Sequence, residues 1–143
     1  IYATDINEVV LQKAKEGIFP LERMQEYTEN YIAAGGKRAF SDYYLAKYGG
    51  ALFNDSLTKN VVFSLHNLVT DHSFAEFNVI LCRNVLIYFN RELQDRAVGL
   101  FRDALCHGGF LGLGSKETLR FCAQANAFED VVREDRLYRK VAA

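Results

Sequence analysis

Apolar and polar positions along this chain fall into short blocks that define its elements. Residues 1–4 form an apolar strand that ends at Asp5. Asn7 offers a side-chain oxygen to a helix start, and Val10, Leu11 and Ala14 then share one face up to about Glu16. Gly17 stops this helix, and Lys13 and Lys15 sit favourably near its C-terminal dipole. A second helix is predicted after Pro20, over 21–34, broken by Gly35-Gly36. The texture then changes over 37–64. Phe40, Tyr43, Tyr44, Tyr48 and Phe53 crowd together between the turn pairs Gly49-Gly50 and Asn54-Asp55. Such runs predict small antiparallel strands, or an excursion from a main sheet. A strand over 61–65 leads into His66-Asn67-Leu68.

The strongest pattern lies at 78–89. An apolar run, Val79-Ile80-Leu81-Cys82, stops at Arg83-Asn84 and resumes as Val85-Leu86-Ile87-Tyr88-Phe89. Such a run predicts a strand buried on both faces over 78–82. Asn90 can cap a helix over 91–105, whose Leu93, Ala97, Leu100, Phe101, Ala104 and Leu105 fit one face. His107-Gly108-Gly109 reads as a turn into a strand over 110–114. A short helix is predicted at 117–121, with Glu117 at its start. Strands at 128–133 and 136–141 form a hairpin joined at Glu134-Asp135. The order predicts an α/β fold, with a mostly parallel sheet, helices on its faces and the antiparallel hairpin at one edge.

Composition narrows the function. A formal charge of −1 over 143 residues argues against nucleic acid as the main partner, because phosphate binding needs a basic face. No apolar run reaches the roughly 18 residues of a membrane span. The start has no basic region or cleavage site of a signal peptide. Cys82, Cys106 and Cys122 form an odd set without CxxC spacing, read as reduced, mostly buried thiols of a cytoplasmic protein. The three histidines do not cluster with them, so no metal site is expected. The chain lacks an initiator Met and opens inside a strand, so a fragment of a longer protein is expected.

Four places could carry chemistry. Asp5 ends a strand before a capped helix, where an acidic residue can accept hydrogen bonds from ribose hydroxyls; a turn aspartate is the alternative. Asn67 has an amide that can read an adenine edge, or simply shape a turn. Arg83 lies at a strand's carboxyl end, where open α/β sheets bind ligands, and its planar fork matches a carboxylate. A structural salt bridge to a helix carboxylate is the alternative. Tyr88 is either a substrate contact or core.

Taken in order, Ala3-Thr4-Asp5-Ile6, His66-Asn67-Leu68, the Cys82–Phe89 run and Gly108-Gly109-Phe110-Leu111-Gly112-Leu113-Gly114-Ser115-Lys116-Glu117-Thr118-Leu119 resemble the CheR-type chemoreceptor glutamate methyltransferases. The resemblance spans essentially the whole chain. It implies a Rossmann-like class I methyltransferase domain that uses S-adenosylmethionine and releases S-adenosylhomocysteine. It implies methylation of glutamate side chains on the cytoplasmic helices of chemoreceptors. By match to the family pattern, Asp5 holds the cofactor ribose, Asn67 and Leu68 meet the adenine end, and Arg83, Asn84 and Val85 line the methionine end. Arg83 and Tyr88 face the incoming glutamate. The 37–64 excursion resembles the family's inserted β subdomain, which in some members grips a receptor's C-terminal peptide.

Two departures qualify the resemblance. Residues 1–143 match only the C-terminal part of the methyltransferase domain. The family's helical N-terminal domain and the glycine-bearing first strand and loop of the cofactor site are not in this chain, so weak activity is expected of the piece alone. Two other readings stand beside it. One is a non-catalytic methyltransferase-like docking module whose excursion binds a peptide by strand addition. The other is a nucleotide-sugar or NAD-type Rossmann enzyme, which explains Asp5 but gives Arg83-Asn84 no task.

Overall fold

A computed structural model of the chain describes residues 1–47 and 49–141, so Tyr48 of the aromatic run lies outside the described residues. The chain is a mixed α/β fold with parallel and antiparallel strands, in two compact units, Ile1–His66 and Asn67–Ala143.

The first unit opens with a strand and a capped helix. Strand β1 (Tyr2–Asp5) leads into helix α1 (Glu8–Glu16). The Asn7 side chain accepts from the Val9 and Val10 N–H groups, and Gly17 closes the helix in a left-handed conformation at φ 64°. Only glycine adopts that conformation without cost, so Gly17 fixes the helix end. Strand β2 (Ile18–Pro20) follows, then a 3₁₀ turn at Leu21–Arg23 and helix α2 (Met24–Ala33). The predicted second helix therefore starts three residues late, with Pro20 already spent in a strand.

Strands β3 (Tyr44–Lys47) and β4 (Gly50–Phe53) form the antiparallel hairpin of the excursion. Strand β4 also pairs with β2, giving a three-stranded sheet in the order β2–β4–β3. Phe40 anchors an aromatic cluster, with ring centroids 5.3 Å from Tyr31, 5.8 Å from Tyr44 and 5.9 Å from Phe53. Pairs of this kind contribute about 0.5–1.5 kcal/mol each beyond their burial. Strand β5 (Val62–Leu65) then runs parallel to β1, with α1 packed against both.

The second unit is a four-stranded sheet in the order β6–β7–β9–β8, backed by one helix. Strand β6 (Phe77–Cys82) pairs in parallel with β7 (Leu105–Leu113), and helix α3 (Arg91–Ala104) makes the crossover. Strands β8 (Phe128–Val132) and β9 (Leu137–Lys140) form the terminal antiparallel hairpin. Helix α3 buries Ala97, Val98, Phe101 and Ala104 against the fully buried Leu105, Leu111 and Leu113 of β7.

Three local expectations change. Strand β6 is not buried on both faces: Ile80 and Cys82 reach the core, but Val79 and Leu81 are 54% and 73% exposed. The strand lies at the edge of its sheet, and within this unit only one face is covered. The predicted turn at His107-Gly108-Gly109 lies inside β7, as a break in register between Phe77 and Val79 of its partner, with Gly108 at φ 76°. Finally, 117–121 is a chain of turns and not a helix. The reason is the Glu117 side chain, which turns inward.

Candidate functional site

The carboxyl end of β6 opens into a loop that carries Arg83, Asn84 and Val85, then a 3₁₀ turn at Leu86–Tyr88. Nothing in this loop repeats a regular hydrogen-bond ladder, so its N–H groups need other acceptors. They find them in one side chain. Glu117 is 3% exposed, and its two carboxylate oxygens accept four backbone N–H groups. Oε1 accepts from Val85 at 2.8 Å and Ile87 at 3.3 Å. Oε2 accepts from Asn84 at 3.0 Å and Gly114 at 2.7 Å. Burying a carboxylate costs several kcal/mol unless its lone pairs are met, and here each oxygen has two donors.

This clasp joins the carboxyl ends of the two parallel strands. It also holds Asn84 at φ 61°, a left-handed backbone that is uncommon for a residue with a Cβ. Gly114 has to be glycine for the clasp to close: a Cβ there would lie 2.8 Å from the Asn84 nitrogen and 2.9 Å from Glu117 Oε2. From the other side, the Gln94 amide nitrogen of α3 donates to the carbonyls of Leu86 at 3.0 Å and Phe89 at 3.1 Å. The loop is thus pinned at both flanks while its outer side chains are left free to meet a ligand.

Those side chains are accessible. Arg83 and Asn84 are exposed, and Tyr88 is 81% exposed, so Tyr88 is not a core residue of this chain. Among the described residues Arg83 forms no ion pair, which removes the salt-bridge explanation. Val85 is half-buried and packs on the core with Leu68. Asn67 shapes the turn before Leu68: its Oδ1 accepts from the Val69 N–H at 2.9 Å, and its own N–H donates to Asp71 at 2.8 Å. Among the described residues this leaves the Asn67 amide nitrogen as the uncommitted donor of the side chain.

Asp5 belongs to the first unit. It ends β1, with its backbone paired to β5 and Oδ1 accepting from the Asn7 N–H at 2.8 Å. The turn reading is therefore correct for one oxygen, and no bond engages the other among the described residues.

Cys82 ends β6 beside this loop. Burial, and then the charge of Glu117, push its thiol from an ordinary 9.0 up to about 12, so it stays a neutral core group. Sequence reasoning assigned Glu117 to a helix start and missed the clasp. No local signal marks that role, because three of the N–H groups it accepts lie about thirty residues earlier in the chain.

Comparison with known proteins bears on all of these residues. The family described as CheR methyltransferase, SAM binding domain, matches residues 1–135. A Pseudomonas putida protein named as a methyltransferase, Cher3, is 54% identical over 140 residues, covering 98% of this chain and 51% of that protein. A chemotaxis protein methyltransferase of Listeria monocytogenes is 32% identical over 120 residues, covering 83% of this chain and 42% of its own length. One from Borreliella burgdorferi is 33% identical over 129 residues, covering 84% of this chain and 41% of its own. The chain thus spans about half, or less, of the curated relatives it matches.

Proposed function

The chain belongs to the CheR methyltransferase family, whose SAM-binding domain it carries, and from this premise we propose that its parent protein methylates glutamate carboxylates on the cytoplasmic helices of chemoreceptors. The methyl donor of this domain is S-adenosylmethionine. The observation that carries the carboxylate reading is Arg83: an exposed guanidinium without an ion partner among the described residues, at the end of a parallel strand, on a loop fixed by Glu117.

The side chains present fit the cofactor on their own chemistry. The uncommitted oxygen of Asp5 suits a ribose diol, and the free amide nitrogen of Asn67 suits a ring nitrogen of adenine, with Leu68 beside it. Arg83, Asn84 and Val85 are assigned the methionine end. The N–H groups of Asn84 and Val85 are already given to Glu117, so these two residues would meet the ligand through side chains and carbonyls. When bound, the cofactor supplies a methyl group made electrophilic by its sulfonium.

A glutamate carboxylate has a reference pKa of about 4.3 and is ionised at neutral pH, so no general base is needed. The protein's work is to strip water from the carboxylate and aim one oxygen, and such positioning supplies roughly 7–11 kcal/mol. Arg83 and Tyr88 are assigned that task. A tight two-point Arg83 contact would stabilise the ground state and blunt the nucleophile, so a single-point contact is expected.

The reading takes residues 1–143 as the C-terminal part of a methyltransferase domain whose first glycine-bearing strand and receptor-engaging helical domain lie upstream in the parent. It also gives the three-stranded sheet a task. Among the described residues strand β3 is an edge, paired only to β4, with Leu45 exposed, and an edge of this kind can accept a receptor's C-terminal peptide as a further strand.

The test is calorimetric titration of S-adenosylhomocysteine into the full-length parent protein, beside Asp5→Ala. Saturable binding that the variant loses supports the cofactor assignment. A folded parent that binds none would leave a non-catalytic docking module.

A further inference from the structure

We propose that the cleft between the 118–125 loop and the β8–β9 hairpin receives an acidic stretch of the protein substrate that flanks the glutamate being methylated. This rests on the carboxyl-methylation reading above. The cleft has a volume of about 570 Å³, with a floor of Leu119, Phe128 and Tyr138 and a rim that includes Arg120, Arg133 and Arg136.

Its place in the fold is the first argument. The Leu113 N–H donates to the Arg136 carbonyl at 3.0 Å, and Gly112 pairs with Leu137. The hairpin turn therefore lies at the carboxyl end of β7. That is the strand end from which Gly114 and Glu117 reach across to hold the Arg83 loop. The facing loop is anchored too, since the Ala123 N–H donates to Asp95 of α3 at 2.7 Å. The cleft and the Arg83 loop share one rim of one sheet, within one compact unit.

Charge is the second argument. Among the described residues neither Arg120 nor Arg136 makes an ion pair. Arg136 gives its Nε to the Ser115 carbonyl at 3.3 Å and keeps its terminal N–H groups for another acceptor. Its backbone stands at φ 55°, a conformation that costs free energy away from glycine. Asp130 and Glu134 also line the cleft. Asp130 is engaged by Arg133 at 3.7 Å, but both are well exposed, and such a pair is weak enough for a substrate carboxylate to exchange into it. Two guanidinium forks without an ion pair among the described residues are suited to carboxylates above other groups. Phe121, 62% exposed on the same loop, adds an aromatic contact beside the arginines, the pairing of residue types that protein interfaces favour. Nucleic acid does not fit, because the chain as a whole carries a formal charge of −1.

The experiment uses the full-length parent protein, a chemoreceptor cytoplasmic fragment as methyl acceptor, and the variants Arg120→Glu and Arg120→Glu/Arg133→Glu. The KM for the receptor is expected to rise roughly tenfold or more, and the increase to shrink as salt is raised. The affinity for S-adenosylhomocysteine is expected to stay at the wild-type value, which also reports an intact fold. Arg120→Lys should recover part of the lost KM. An unchanged KM beside an active wild type would overturn the docking and leave the carboxyl-methylation reading standing. A matching loss of S-adenosylhomocysteine affinity would overturn it as well, by placing these arginines in the cofactor site. A wild type that binds S-adenosylhomocysteine but methylates no receptor would overturn the underlying reading, and this docking with it.

Discussion

An arginine at a strand end usually finds a carboxylate, and Arg83 has none among the described residues. If it waits for the substrate's carboxylate, Arg83→Ala should lower kcat by a hundredfold or more, roughly 3 kcal/mol, while S-adenosylhomocysteine affinity stays within a few-fold. Equal losses of both would reassign it to the cofactor. Tyr88 is 81% exposed, so Tyr88→Phe should leave the urea midpoint unchanged and lower the rate, if the hydroxyl touches substrate. Cys82 makes a prediction of a different kind. Its folded thiol is raised to about 12, so its contribution to stability is complete below about pH 9 and is lost as the unfolded chain's thiol ionises above that. Urea midpoints should fall from about pH 9 upward with a slope of up to ~1.4 kcal/mol per pH unit from this group. Cys82→Ala should flatten that part of the profile, and a profile identical to wild type would contradict the assignment.

The elements that could be read from sequence are those whose cause is local. Helix α1 announces itself through Asn7, its apolar face and Gly17, and α3 through Asn90 and a wide apolar stripe. The terminal hairpin follows from two alternating runs around Glu134-Asp135. What could not be read has non-local causes. Strand β2 forms because β4 lies beside it, more than thirty residues later in the chain, and Ile18–Pro20 alone carries no strand signal. The start of β7 looked like a turn because Gly108-Gly109 reads as one, while the sheet absorbs it as a break in register. The candidates Asp5, Asn67, Arg83, Asn84 and Tyr88 could be picked out by residue type and position, and the structure leaves Arg83, Asn84 and Tyr88 exposed and Asp5 and Asn67 half-buried. The role of Glu117 could not be picked out, since three of its four N–H donors, those of Asn84, Val85 and Ile87, lie about thirty residues earlier in the chain. Glu117→Gln keeps its shape but turns one acceptor into a donor facing N–H groups. It should cost roughly 2–4 kcal/mol of unfolding free energy and weaken S-adenosylhomocysteine binding, because the loop loses its fixed conformation. Gly114→Ala should weaken the same binding by opening the same clasp, through a Cβ that presses on Asn84 and Glu117. Wild-type affinity in both variants would show that the clasp does not set the loop.

At the scale of the whole molecule, the family match runs through both compact units, over residues 1–135. Among the described residues no helix is long and apolar enough to cross a membrane. The chemistry assigned to the molecule leaves a product with a distinctive property: a glutamyl methyl ester is cleaved by mild alkali and releases methanol, whereas a methylated amine is not. The most direct measurement is therefore transfer of labelled methyl from S-adenosylmethionine to a chemoreceptor cytoplasmic fragment by the full-length parent protein, followed by alkali treatment. Label recovered as methanol, and lost in Arg83→Ala, is the predicted result. Label that resists alkali, or a cofactor-bound parent that transfers none, would contradict the account.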